Sequence, residues 1–165
     1  MIDIDLRRAA ALLALGSAAL LGGAFAFQYI GGLAPCVLCW YQRYPHMAAI
    51  VLGLLAVAFA DRKPIALTLI ALIAVAMLVD AGVATFHVGV EQHWWEGTSE
   101  CGSTIGPTND PDALLKALMN QPIVRCNEVA WSMLGISMAG WNGLACLALA
   151  AFAIWTVKRE LARGR

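Results

Sequence analysis

Cys36 and Cys39 fall in the run Ala34-Pro35-Cys36-Val37-Leu38-Cys39-Trp40-Tyr41-Gln42-Arg43, at what must be the end of a membrane span. A close thiol pair exchanges electrons with disulfides, and beside a bilayer it points to transfer between protein thiols and something held in the membrane. A disulfide that closes so small a loop constrains almost nothing, so stapling is a poor account of this pair. The second helix is expected to begin near Trp40 to Tyr44, with Pro45 tolerated in its first turn. Its N-terminal amides and positive dipole end then face the thiols. Positive potential favours the thiolate, which is the attacking species in disulfide exchange. Arg43 adds a permanent charge one turn on. In isolation an arginine at the bilayer edge snorkels to the headgroups. Beside a cysteine pair it can instead stabilise a thiolate, or donate to the carbonyl oxygens of a reducible ring as negative charge develops there.

The remaining cysteines are Cys101, Cys126 and Cys146. For Cys101 and Cys126 the plain reading is a structural staple, which on the chain-entropy argument stabilises by roughly 3–4 kcal/mol for a loop of about 25 residues. Metal binding fails on spacing. A c-type haem site needs histidine directly after the second cysteine, where Trp40 stands. A four-cysteine zinc site uses two close pairs, and Cys101 and Cys126 are far apart. Cys146, in mid-span, reads as a small buried apolar residue.

The elements that position these residues follow from composition. Apolar residues make up 61% of the 165-residue chain and charged ones 13%, against about half and about a quarter in soluble domains. Four stretches, 9–30, 40–60, 65–86 and 136–157, are long enough to cross a bilayer as helices. Arg7, Arg8, Arg62, Lys63, Lys158, Arg159, Arg163 and Arg165, eight of the eleven basic residues, fall on one side of such a four-pass chain. The positive-inside rule makes that side the cytoplasm and puts both termini there. Residues 31–39 and 87–135 become outer connections, and Cys36, Cys39, Cys101 and Cys126 lie on or next to them. A cleavable signal peptide is the competing account of the N-terminus, since Arg7-Arg8, an apolar run and Ala24-Phe25-Ala26 loosely fit one. Asp3 and Asp5 do not suit a basic leader, and removing the run would put the last basic cluster on the wrong side.

The expected fold is all-α: one membrane domain over 1–165, a four-transmembrane-helix up-down bundle with one long outer loop carrying a short helix. Asp110 and Pro111 would open that loop helix, with Leu114, Leu115, Leu118 and Met119 as its apolar stripe. Ala18-Gly22, Gly16-Ala19-Gly23 and Gly140-Gly143 supply small residues for close helix contact. Trp94, Trp95, Trp40 and Tyr41 suit an aromatic belt at the water interface. Asp80 lies in the third span, where an acid is expensive and needs a partner or water.

Pro35-Cys36-Val37-Leu38-Cys39 followed by Arg43, a third helix ending near His87, Cys101, and Cys126-Asn127-Glu128 with Trp131, Leu134-Gly135 and Met138 form a pattern covering nearly the whole chain. In that pattern it resembles the DsbB family of disulfide bond formation proteins, quinone-dependent thiol oxidases of the bacterial inner membrane. His87-Val88-Gly89-Val90-Glu91, then Trp95-Glu96-Gly97 and Cys101, is similar to a compact branch of that family. The resemblance implies that Cys101 forms a mixed disulfide with a reduced periplasmic DsbA-like oxidant and that Cys126 resolves it. Electrons would pass to Cys36–Cys39 through a Cys36–Cys126 bond, leaving Cys39 as the thiolate facing a quinone, ubiquinone or menaquinone. Arg43 and His87 match family positions linked to quinone binding. His46, one turn after Arg43, is a further candidate for that pocket, its alternative being a core or interfacial histidine. Gly97, Gly102, Gly106, Pro107 and Pro122 fit a loop that moves so that Cys126 reaches Cys36. The partners implied are the DsbA-like protein, the quinone pool and the lipid bilayer, with no nucleic acid and no metal.

Energetics favour a membrane acceptor. Holding a DsbA-like protein near about −120 mV rather than a thioredoxin-like −270 mV demands about 7 kcal/mol more per dithiol, which a respiration-coupled quinone supplies. A Cys101–Cys126 bond stabilised by 3–4 kcal/mol would be about 75 mV less oxidising, which speaks against a simple staple. Two other classes remain: a thiol reductase in the style of vitamin K epoxide reductases, which the cysteine order fits less well, and a non-catalytic membrane protein with stapling cysteines.

Overall fold

The computed structural model describes residues 5–99, 101, 112 and 124–163. Four long helices dominate them: α1 (Leu6–Tyr29), α2 (Val37–Ala58), α3 (Lys63–Glu91) and α4 (Met138–Arg163). The loop helix expected over 110–119 lies, but for Asp112, outside the described residues. Short connections at 30–36 and 59–62 make α1, α2 and α3 antiparallel neighbours. α1, α3 and α4 are long and apolar enough to cross a membrane. α2, at 22 residues, spans about 33 Å and has the length. Its first half carries Gln42, Arg43 and His46, which dilute its apolar character.

Helix ends follow local chemistry. The Asp5 carboxylate accepts the Arg8 amide at 2.7 Å and caps α1, satisfying one of the free amides of the first turn. α2 begins at Val37, a turn before the expected Trp40, because the Cys36 sulfur serves as its cap and accepts the Cys39 amide at 3.2 Å. Pro45 is therefore in the third turn, not the first, where its missing N–H removes one helical hydrogen bond. α3 runs to Glu91 rather than ending near His87. The added turn lifts His87 and Glu91 on a rigid element.

α1 packs on α2, α2 on α3 and α3 on α4, whereas α1 and α4 meet only lightly. Leu13, Ile70, Ile73 and Met77 fill the core together with Ala10, Ala49, Ala56, Ala150 and Ala153, small side chains that let backbones approach where lipid is the solvent. The tightest approach is at Gly53, where a Cβ would lie 2.8 Å from that of Ala14. Gly16 meets Leu149 and Gly143 meets Ala84, but Gly22 and Gly23 have open space beside them. At one end Arg7 pairs with Asp61 at 3.0 Å and Lys63 with Glu160 at 3.4 Å. The α1 start, the α2–α3 turn and the α4 end thus meet there.

At the other end a hairpin precedes α4: β1 (Ser132–Met133) pairs antiparallel with β2 (Ile136–Ser137). Its turn residues Leu134 (φ 54°) and Gly135 (φ 77°) are both left-handed, as a two-residue turn of type I′ requires. Trp131, just before it, packs on Phe27 of α1 with ring centroids 4.9 Å apart.

Candidate redox site

Four cysteines gather at the hairpin end. Cys101 and Cys126 form a disulfide with Cα atoms 5.3 Å apart, while Cys36 and Cys39 are free thiols. Cys36 and Cys126 are buried in one small cluster with Leu38 and Val90, and Cys39, Cys101 and Val124 pack around it. The hydrogen bond of Cys36 to the Cys39 sulfur, and then burial, push the Cys36 thiol well above the usual cysteine range. Gly97 makes room for the disulfide, since a Cβ there would lie 2.8 Å from that of Cys101. Trp95 folds back onto α3, donating to the Phe86 carbonyl at 2.9 Å and covering Gly89, where any side chain would run into the indole. Its anchor is therefore α3 itself.

A chain of buried polar groups runs from this cluster into the bundle. His87 Nε2 lies 3.6 Å from Cys36 Sγ, and Gln42 Nε2 lies 2.8 Å from His87 Nδ1. Asn142 Nδ2 donates to Gln42 Oε1 at 3.0 Å, and His46 Nε2 lies 3.0 Å from Asn142 Oδ1 and 3.2 Å from Asp80 Oδ2. Cys146 Sγ donates to the same Asp80 oxygen at 3.3 Å. Donation runs one way along the chain. Asn142 gives its amide nitrogen to Gln42, so its Oδ1 accepts and His46 Nε2 carries hydrogen. The Leu38 carbonyl, 3.3 Å from Gln42 Nε2, requires the amide nitrogen there. His87 Nδ1 is then an acceptor, and its Nε2, which carries the hydrogen, faces Cys36 Sγ and the Cys126 backbone.

Between α1 and α4, where the bundle is loosely closed, lies a cavity of about 420 Å³. Ala19, Gly23, Phe27 and Trp131 are among its apolar walls; Asn142 of α4 adds one polar group, and Cys39, Gln42, Arg43 and His46 supply the rest. These last four polar residues recur at i, i+3, i+4 and i+7, a single face of α2. The buried Arg43 guanidinium donates to Gln28 Oε1 at 2.6 Å and lies over the rings of Phe25 and Trp40 at 4.8 and 4.6 Å. A thiol, a held cation and an apolar chamber thus share one wall.

The family model described as "Disulfide bond formation protein DsbB" matches residues 6–156. The chain belongs to the DsbB family. Among curated DsbB relatives, disulfide bond formation protein B of Methylococcus capsulatus is 34% identical over 86% of this chain and 90% of its own length. That of Stutzerimonas stutzeri is 32% identical over 88% and 91%. The Rickettsia prowazekii protein RP370, described as uncharacterized, is 33% identical over 80% and 76%. No solved structure matches. Family and helices together make the chain a multi-pass membrane disulfide bond formation protein.

In this DsbB chain Cys39, Arg43 and His46 lie on the cavity wall, whereas His87 sits behind it against Cys36. Sequence reasoning passed over Gln42 and Asn142, which join the two histidines, and left Asp80 and Cys146 without a role. The signals were present: Gln42 falls one helical turn from Cys39, Asn142 is polar in the first turns of an apolar helix, and Asp80 is an acid in a span.

Proposed function

We propose that this DsbB-family chain is a quinone-dependent thiol oxidase of the bacterial inner membrane, reoxidising a periplasmic DsbA-like dithiol. α2 serves as the fourth span, and the cysteine end faces the periplasm because the paired basic residues lie at the other. The observation that carries the reading is the shared wall of Cys39 and the buried Arg43 on an apolar cavity between helices. The cavity suits a flat ring with an apolar tail, and Arg43 and the incompletely bonded His46 suit its carbonyl oxygens. A bound quinone supplies the acceptor for two electrons and two protons.

The partner's thiolate attacks Cys101, the more exposed half of the Cys101–Cys126 bond, and Cys126 leaves as thiolate. The partner's second thiol then displaces Cys101, so the partner leaves oxidised. In the resting oxidised form Cys36 and Cys39 are disulfide-bonded; Cys126, already packed beside Cys36, attacks there and releases Cys39. Cys101 closes on Cys126 and frees Cys36, and the reduced Cys36–Cys39 pair gives its two electrons across the cavity wall. Arg43 holds the acceptor and Cys39 together and favours the negative charge that moves between them. Because Cys126 shares a cluster with Cys36, the exchange needs less travel than a freely swinging loop.

The test is quinone reduction by detergent-solubilised protein supplied with a reduced DsbA-type protein. Turnover is expected with wild type and none with Cys39→Ser. No quinone reduction by wild type with either ring class, or turnover retained in the variant, overturns the reading.

A further inference from the structure

The His46–Asp80 pair is costly and its geometry is incomplete. Asp80 is fully buried in a membrane helix, and an intramembrane acid is kept when it works. It fixes one ring nitrogen of His46, Nε2, shared with Asn142. The other nitrogen, Nδ1, is buried and has no hydrogen-bond partner among the described residues. An unpartnered buried polar atom costs about 1–3 kcal/mol. His46 is only 3% exposed and lines the cavity. A carboxylate that orients one imidazole nitrogen while the other is left for a substrate is an arrangement for general acid–base work.

Resting on the proposed quinone reading, we propose that His46, positioned by Asp80, donates a hydrogen bond and then a proton from Nδ1 to one carbonyl oxygen of the quinone. Arg43 serves the opposite carbonyl. In this step His46 carries hydrogen on both nitrogens, Nε2–H toward Asp80 and Nδ1–H toward the quinone, so giving up Nδ1–H breaks one N–H bond and forms one O–H bond. The balance closes: the partner's dithiol loses two electrons and two protons on becoming a disulfide. Quinol formation consumes two of each, one proton through His46, which is then reprotonated. Cys146, donating to the same Asp80 oxygen, helps keep that carboxylate in place.

Infrared spectroscopy of purified protein loaded with carbonyl-13C-labelled ubiquinone or menaquinone reads the hydrogen bond independently of turnover. Wild type is expected to show one carbonyl band shifted down that returns toward the free frequency in His46→Leu. In His46→Gln, which donates a hydrogen bond but no proton, the shift is retained. Turnover with the reduced DsbA-type protein is expected to fall about a hundredfold in both, the scale of general acid catalysis, with little change in quinone KM for His46→Gln. Asp80→Asn should lower kcat while leaving quinone bound. An unchanged band in His46→Leu, or normal turnover in His46→Gln, overturns the proposal. Cys39→Ser in the same assay separates the two readings, since its loss of turnover leaves the oxidase standing whatever His46 does.

Discussion

The two thiols of the Cys36–Cys39 pair differ in what surrounds them, although they are one turn apart. The hydrogen bond of Cys36 to the Cys39 sulfur, and then burial, raise its thiol above the usual cysteine range, while Cys39 lines the cavity. Because only a thiolate alkylates readily, iodoacetamide treatment of the reduced protein should label Cys39 and leave Cys36 unmodified through pH 9, as read by peptide mass spectrometry. Equal labelling of the two would contradict the assignment. The cysteine pair, Arg43 and the acid in the third span were all visible as residues. The Gln42–Asn142 link was not, because a hydrogen bond between residues 100 positions apart on two helices leaves no local pattern. Nor does sulfur figure among the usual helix caps, so the sequence points to a helix start a turn later than Val37.

Among the elements, helix contact rests on small residues at a few positions. Gly53 is the strongest case, since α1 backbone and Ala14 leave no space for a side chain. Gly53→Val is expected to destabilise the bundle by about 1–3 kcal/mol, the usual scale of overpacking, measured by thermal unfolding in detergent. Gly23→Ala, with open space around it, should leave the unfolding midpoint unchanged. Apolar runs made the helices legible. Which small residues touch was not, for Ala18-Gly22 and Gly16-Ala19-Gly23 look equally suited and, of their glycines, only Gly16 has a close neighbour from another helix. The hairpin was also hidden: its turn uses Leu134-Gly135 where the recognisable signal is Asn-Gly.

For the whole molecule, charge and chemistry occupy opposite ends. Ion pairs Arg7–Asp61 and Lys63–Glu160 tie one end, and disulfide, thiols and hairpin form the other. The exposed Arg7–Asp61 pair is worth about 0–1 kcal/mol, so Asp61→Asn is expected to leave thermal stability and turnover within error, its more sensitive readout being membrane orientation. Hydropathy and basic residues yielded this polarity at the level of sequence, whereas the opening between α1 and α4 depends on which helices fail to pack and could not be read.

In a bilayer an opening between two membrane helices gives onto acyl chains, so whatever fills the chamber competes with lipid or detergent tails and arrives by lateral diffusion. The concentration that governs occupancy is therefore a mole fraction in the membrane phase, not a molarity in water. Diluting a sample with buffer alone should leave saturation unchanged, while adding empty micelles at constant total ligand should lower it, and affinities taken in different detergents become comparable only on that scale.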